Sequence, residues 1–151
     1  MTRWARGQAE VEELVISRQL QKITGAAADG EPLLDKASRT LATAGTIASD
    51  DPDSAFVLAY DSARYAGTAL LAHQGLRPTT TGGHYAVEVA LRAQFGDGFR
   101  SFGALRRRRN ELEYPTNHGE TASQAEAAEA IQDAHTLLTA AQQLLPRLSL
   151  F

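Results

Sequence analysis

The sequence predicts an all-α protein, an up-and-down bundle of about five helices forming a single domain over residues 1–151. Two observations predict this class. Apolar residues recur at spacings of three and four along most of the chain, as on the buried face of an amphipathic helix, and no segment alternates strictly as a half-buried strand does. Helix start and stop signals interrupt the pattern at short intervals, which favours antiparallel neighbours.

These signals set the helix bounds in order. Gly25 is predicted to end the first helix, and Pro32 fits the first position of the second, where its missing N–H costs nothing. Asp51 fits the N-cap of the third helix and Gly75 its exit. Thr121 fits the N-cap of the last helix, in a capping box. The predicted helices run over 8–24, 32–48, 52–74, 84–95, 99–114 and 122–145. The fourth and fifth are either separate or one helix kinked at the glycine pair between them.

Composition narrows the functional classes. The absence of cysteine excludes disulfides, thiolate zinc sites and a catalytic cysteine. A net charge of -3, from 15 basic and 18 acidic residues, gives no global attraction to nucleic acid or to a membrane. No apolar run approaches the ~18 residues of a membrane span, and the N-terminus lacks the apolar stretch of a signal peptide. We therefore expect a cytoplasmic protein without membrane partners.

No metal or cofactor site is predicted. Gly82-Gly83 lacks the Lys-Ser/Thr sequel and the preceding strand of a P-loop. No two histidines are spaced i,i+4 on a predicted helix, and none belongs to a His-Glu-x-x-His motif. The four histidines are His73, His84, His118 and His135.

Polar residues also mark one side of the third predicted helix. Asp61, Arg64 and Thr68 lie at i, i+3 and i+7, a spacing that places them on one face. Asp61 and Arg64 are predicted to pair there, and the face is interpreted as solvated.

The four consecutive arginines at 106–109 point in different directions around the predicted helix. At about 100° per residue, Arg109 falls within the apolar stripe formed by Phe102 and Leu105. Arg107 and Arg108 point away and are predicted to lie on a solvated face. Arg109 must therefore lie at an interface or pocket, where an arginine needs a partner.

Glu113, one turn after Arg109, is the nearest candidate partner. Two interpretations remain open: a structural Arg–Glu pair inside the bundle, or a guanidinium whose planar fork binds phosphate. Arg106 and Asn110 flank Arg109 and are candidate substrate-binding residues with Glu113. Tyr114 precedes Pro115, which disfavours further helix, so its hydroxyl is expected where the helix ends.

The segment 109–114 (Arg-Asn-Glu-Leu-Glu-Tyr) resembles the motif of the HEPN domains (higher eukaryotes and prokaryotes nucleotide-binding), which are small helical bundles. That motif has Arg, a polar residue, three variable residues and His, near the end of a late helix; here Tyr114 stands in the place of the His. Segments 60–66 and 70–78 look like the family's central helix and its exit. The resemblance covers residues 8–145.

The resemblance implies a homodimer in which two motifs face one cleft. It also implies the activity of a metal-independent endoribonuclease that belongs to a toxin–antitoxin or defence system. It also implies a nucleotidyltransferase-type antitoxin as partner. Arg109 would contact an RNA or nucleotide phosphate, Asn110 would orient the site, and Tyr114 would be catalytic in the place of His. A free tyrosine has a pKa near ~10, so only about 0.1% is ionised at pH 7. Tyr114 is therefore expected to position phosphate or donate a proton, with His118 of the adjacent loop as a substitute base.

Two other hypotheses follow from the same residues. The replacement of His by Tyr114 suits a catalytically degenerate interaction module or regulator, in which Arg109 and Glu113 specify a dimer. A helical DNA-binding domain using the arginine run is ranked last, because Arg109 faces inward, the chain is acidic and no helix-turn-helix spacing is evident.

Overall fold

The computed structural model describes residues 3–117 and 119–151, and in them the predicted all-α bundle is confirmed. The predicted site residue His118 lies outside the described residues. The helices and strands are, in chain order, α1 (Gln8–Ile16), β1 (Leu20–Lys22), α2 (Glu31–Ile47), α3 (Pro52–His73), β2 (Leu76–Pro78), α4 (Gly83–Phe95), α5 (Arg100–Glu113) and α6 (Gln124–Leu144). Short 3₁₀ turns follow β1, α4 and α6.

Helix α3 is the centre of the bundle and packs against α2, α4, α5 and α6. Its start is as predicted: Asp51 is the N-cap, and its Oδ1 accepts a hydrogen bond from Ser54 N at 3.1 Å. Its exit is also as predicted, because Gly75 adopts φ +75° and its N–H donates to Ala72 O at 2.9 Å. Small residues along α3, such as the fully buried Ala59, allow its neighbours to approach closely.

The prediction for the first helix is wrong in its length. Helix α1 ends at Ile16 rather than at residue 24, because Arg18 turns the chain with φ +62° and Gln19 N donates to Leu14 O at 2.9 Å. The chain then forms β1, which pairs antiparallel with β2, with Leu20 opposite Pro78. Gly25 opens a 3₁₀ turn instead of ending the helix.

The structure also corrects the predicted start of the last helix and resolves the alternative that the sequence left open for the fourth and fifth helices. Helix α6 begins two residues later than a Thr121 cap requires: Ser123 is the N-cap, and its Oγ accepts from Glu126 N at 3.0 Å. The fourth and fifth predicted helices are separate, because a 3₁₀ turn over Gly96–Phe99, with Gly96 at φ +65°, lies between α4 and α5. This turn lets α5 fold back along α4 and α3.

The two-stranded sheet fixes where α4 begins. Thr79 N donates to Gln19 O at 3.0 Å, and Thr79 Oγ1 accepts from Gly82 N at 3.1 Å. A Cβ on Gly82 would overlap the carbonyl oxygen of Gln19, so the close approach requires glycine. His84, in the first turn of α4, is therefore held in a fixed place relative to α3.

No helix in the described part of the chain is long and apolar enough to cross a membrane.

Candidate functional site

Arg109 lies on the packing side of α5, as its helical phase predicts. Its side chain is only 18% exposed, and its Nη2 lies 3.5 Å from Glu113 Oε1, which confirms the predicted pair. Nη1 donates to Asn110 Oδ1 at 3.3 Å. The guanidinium carbon lies 5.9 Å from the centre of the Tyr60 ring on α3. Arg109 thus joins the end of α5 to the middle of α3.

Tyr60, the α3 residue in contact with Arg109, begins a stripe of polar side chains along α3. Tyr60, Arg64 and Thr68 occur at i, i+4 and i+8, so they share one face over about 12 Å. Within residues 3–117 and 119–151, five buried side-chain atoms have no hydrogen-bond partner. Four of them belong to Arg109 and to the polar stripe of α3: Tyr60 Oη, Arg64 Nε, Thr68 Oγ1 and Arg109 Nε.

Such a concentration of unpaired groups is energetically unusual. A buried donor or acceptor without a partner costs about 1–3 kcal/mol, and native structures contain few of them. All four groups here can donate a hydrogen bond. We call Tyr60, Arg64, Arg109 and the neighbouring His84 the α3–α5 polar cluster; Thr68 lies about two turns of α3 beyond Tyr60.

The interpretation of this face of α3 as solvated is wrong. Asp61 and Arg64 do pair, at 3.8 Å, but their side chains are only 21% and 24% exposed. Burial raises the pKa of Asp61, against the opposite effect of Arg64 and then Arg109. The periodicity of α3 alone could not show that α4 and α5 pack beside this stripe.

His84 brings a titratable ring to the cluster from α4. The centres of the His84 and Tyr60 rings are 5.6 Å apart. Burial, and then the positive charges of Arg64, Arg109 and Arg106, lower the pKa of His84 to about 4. Burial also raises the pKa of Tyr60, against those three arginines. At neutral pH the cluster therefore holds an uncharged imidazole and a protonated phenol.

This environment predicts a pH-dependent stability. An unfolded histidine has a pKa of about 6.5 and binds a proton that folded His84 rejects until the pH is near 4. The contribution of His84 to stability is therefore complete above about pH 6.5 and is lost as the pH falls toward 4. We expect the melting temperature of the native chain to fall more steeply between these values than that of His84→Gln. Parallel curves from the two proteins, measured by thermal unfolding, would contradict the described environment.

The other arginines of α5 have separate roles. Arg106 Nε donates to Oε2 of the buried Glu88 at 2.8 Å, which ties α5 to α4 beside His84. Arg107 is 61% exposed, as predicted, although its Nη1 lies 3.8 Å from Glu88 Oε1.

The prediction that Arg108 lies on a solvated face is wrong. Its side chain is 27% exposed and donates to Glu111 Oε2 at 2.8 Å, to Glu126 Oε2 at 3.1 Å and to Thr121 O at 3.2 Å. Helix α6 and the segment before it cover this side of α5, which the phase of α5 by itself does not reveal. Arg108 therefore anchors the chain that follows the candidate site.

The remaining predicted residues lie at the outer edge of the cluster. Asn110 is exposed. Among the side-chain hydrogen bonds of the described residues, its side chain takes part only in the one that its Oδ1 accepts from Arg109. Tyr114 caps the end of α5, where its N–H donates to Asn110 O at 2.9 Å, and its side chain is 71% exposed. The structure brings together Arg109, Arg106 and Glu113, and leaves Tyr114 at the rim.

An open groove of about 410 Å³ reaches the edge of the cluster between α3 and α5. Glu113, the partner of Arg109, lines it together with the half-buried apolar side chains of Val57, Leu58 and Leu112. Asp53 forms part of the wall and accepts a hydrogen bond from Ala122 N, which holds the segment before α6 in place.

Sequence reasoning missed Tyr60 and His84 as members of one site. A signal was present, because polar residues at i, i+4 and i+8 interrupt an alanine-rich helix. His84 had no such signal, since only the pairing of β1 with β2 places the start of α4 beside α3. In the described residues, no three His, Asp or Glu side chains are grouped so that they could hold a metal ion.

Comparisons of this chain with family models, with curated proteins and with solved structures found no match.

Proposed function

We propose that this domain binds RNA and holds one backbone phosphate in the α3–α5 polar cluster. The supporting observation is the set of three buried, unpaired groups of this cluster, on Tyr60, Arg64 and Arg109, each able to donate a hydrogen bond. A phosphodiester offers only acceptors, and hydrogen bonds from arginine to phosphate are among the stronger ones. The guanidinium groups of Arg64 and Arg109, 24% and 18% exposed, are the proposed primary contacts, and their buried Nε–H groups become available when these side chains turn toward the phosphate.

The local charge pattern is compatible with this use. Arg64 lies 3.8 Å from Asp61, and Arg109 lies 3.5 Å from Glu113, distances longer than a well-formed charged hydrogen bond. Neither pair uses the Nε–H of its arginine. The carboxylates therefore reduce the repulsion between the arginines without occupying all of their donors.

The same carboxylates favour RNA over DNA. Asp61 and Glu113 flank the proposed phosphate position and can accept a hydrogen bond from a ribose 2′-hydroxyl, the group that distinguishes RNA. We expect DNA of the same sequence to bind less tightly.

Cleavage of the bound strand is the second part of the proposal. The 2′-hydroxyl oxygen attacks the adjacent phosphorus, the bond to the 5′-oxygen breaks, and a 2′,3′-cyclic phosphate forms. Neutral His84 accepts the 2′-hydroxyl proton, and Tyr114 at the rim donates a proton to the 5′-oxygen. Arg64 and Arg109 stabilise the charge that develops on phosphorus. The nucleophile belongs to the substrate, so this route requires no metal.

The resemblance to the HEPN domains adds proposals about partners. A homodimer would cover the half-buried Val57, Leu58 and Leu112 and would place two Arg109 side chains at one cleft. A nucleotidyltransferase-type antitoxin and a cytoplasmic location belong to the same proposal.

A degenerate interaction module without nuclease activity is the alternative. It is favoured by Tyr114, which stands in the place of the motif His, and by the Arg109–Glu113 pair. The variant Tyr114→His separates the two functions. Cleavage gained by Tyr114→His but absent from the native chain would support the alternative, whereas cleavage by the native chain would refute it.

RNA titration of the native chain tests the proposal. A fluorescently labelled single-stranded RNA is titrated in the presence of a chelator, and its length is then checked on a denaturing gel. We expect saturable binding that is tighter for RNA than for DNA, and shortened RNA that ends in a cyclic phosphate. No binding at protein concentrations up to about 100 µM, the weak end of nonspecific nucleic-acid affinity, would contradict the proposal.

A further inference from the structure

A second basic surface lies on α4 and α5, outside the polar cluster. Arg92 and Arg107 are 60% and 61% exposed, and each approaches Oε1 of Glu88, at 3.9 and 3.8 Å. Arg106 donates to the other oxygen of the same carboxylate at 2.8 Å. One buried carboxylate thus serves three guanidinium groups, which leaves two positive charges uncompensated by Glu88.

An exposed aromatic ring adjoins these arginines. Tyr85 directly follows His84 in the chain, and its side chain is 57% exposed. The guanidinium carbon of Arg106 lies 5.7 Å from the centre of its ring. We call Tyr85, Arg92, Arg106 and Arg107 the Tyr85 surface.

The Tyr85 surface is continuous with the polar cluster. Arg106 contacts Tyr85 on the outside, and its charge also lowers the pKa of His84 on the inside. A groove of about 460 Å³ continues from Tyr85 along α4 past Arg92. Arg6, Glu10 and Asp97 also line this groove, so the rest of its charged wall is mixed, and among the described residues that line it the exposed arginines adjoin an aromatic ring only at the Tyr85 surface.

The combination of arginines with an exposed aromatic ring is typical of surfaces that bind single-stranded nucleic acid. Arginines neutralise phosphates along the strand, and an unstacked base lies on the ring. The bases of a duplex are stacked inside the helix and cannot reach such a ring.

We infer that the Tyr85 surface guides single-stranded RNA away from the phosphate in the polar cluster. A base beyond the two that flank this phosphate stacks on Tyr85, and the following phosphates contact Arg92 and Arg107. This inference rests on the proposed function and adds to it the strand state of the substrate and a second set of contacts.

Two ligands separate the inference from the proposed function. A UpA dinucleotide carries one phosphate and reaches only the polar cluster, whereas a twelve-nucleotide single strand also reaches the Tyr85 surface. Both are titrated against the native chain, Tyr85→Ala and the double variant Arg92→Ala with Arg107→Ala. Tyr85→Phe keeps the stacking ring, and Arg39→Ala with Lys22→Ala removes two exposed charges elsewhere on the molecule.

For the twelve-nucleotide strand we expect Tyr85→Ala to lose on the order of tenfold in affinity, the effect of one stacked base. The double arginine variant should also reduce the slope of log affinity against log salt by about 1.4, as for two phosphates on a single strand. UpA affinity should stay at the native value in both variants, and the control variants should bind both ligands like the native chain.

Unchanged affinity of the twelve-nucleotide strand in Tyr85→Ala and in the double arginine variant would overturn the inference, while UpA binding would still support the proposed function. A duplex of the same twelve nucleotides is titrated as well, and equal losses of affinity for the single strand and the duplex in these variants would also overturn the inference. Failure of UpA to bind the native chain would instead contradict the phosphate site in the cluster.

Discussion

Replacing Arg109 with alanine is expected to weaken RNA binding by about 10- to 100-fold, because a hydrogen bond to a charged group contributes about 1.5–3 kcal/mol. The variant removes the unpaired Nε–H and the guanidinium that lies beside Tyr60. Arg109→Lys should recover only part of the affinity, since lysine restores the charge but not the planar fork. Titration of the labelled single strand measures all three proteins.

The fold should tolerate this change. Glu113 is 34% exposed and becomes solvated when its partner is removed, so unfolding free energy should change by less than about 1 kcal/mol. Arg39→Ala, on the exposed side of α2, is the matched control and should bind RNA like the native chain. Native affinity in Arg109→Ala, with the fold intact, would remove Arg109 from the site.

Replacing Phe102 with alanine is expected to lower the unfolding free energy by about 3–5 kcal/mol, the usual cost of truncating a buried phenylalanine. Phe102 is fully buried in α5, and its ring centre lies 5.6 Å from that of Tyr60. The change leaves a cavity where α5 packs on α3, next to the polar cluster. Denaturant unfolding measures the effect.

Tyr114→Ala is the control for Phe102→Ala. It truncates an aromatic side chain at the end of the same helix, but one that is 71% exposed, and should change stability by less than about 0.5 kcal/mol. Equal effects from the two variants would show that α5 does not pack through Phe102.

The regular helices could be predicted because their signals are local. Asp51 and Gly75 act within a few residues of their own positions, and the structure confirms both. The end of α1 could not be predicted, since Arg18 adopts a positive φ that its residue type does not indicate. The strand that follows has three residues, too few to show alternation.

The part of the candidate site on α5 was predicted from the sequence, whereas the parts on α3 and α4 were missed. The phase of α5 placed Arg109 inside and paired it with Glu113, both of which the structure confirms. The same reasoning failed for Arg108, because burial there depends on Glu126 of α6. His84 joins the cluster because β1 pairs with β2, a contact between residues about 60 positions apart in the sequence. The periodicity of a single helix carries no information about such a contact.

The unpaired donors of the α3–α5 polar cluster are proposed to bind a phosphate. The most direct measurement is a titration of the ¹H–¹⁵N resonances of the arginine Nε–H groups with UpA. We predict that the Nε–H signals of Arg64 and Arg109 move together and saturate, while that of Arg39 stays in place. Unmoved signals from Arg64 and Arg109 at saturating UpA would contradict the claim.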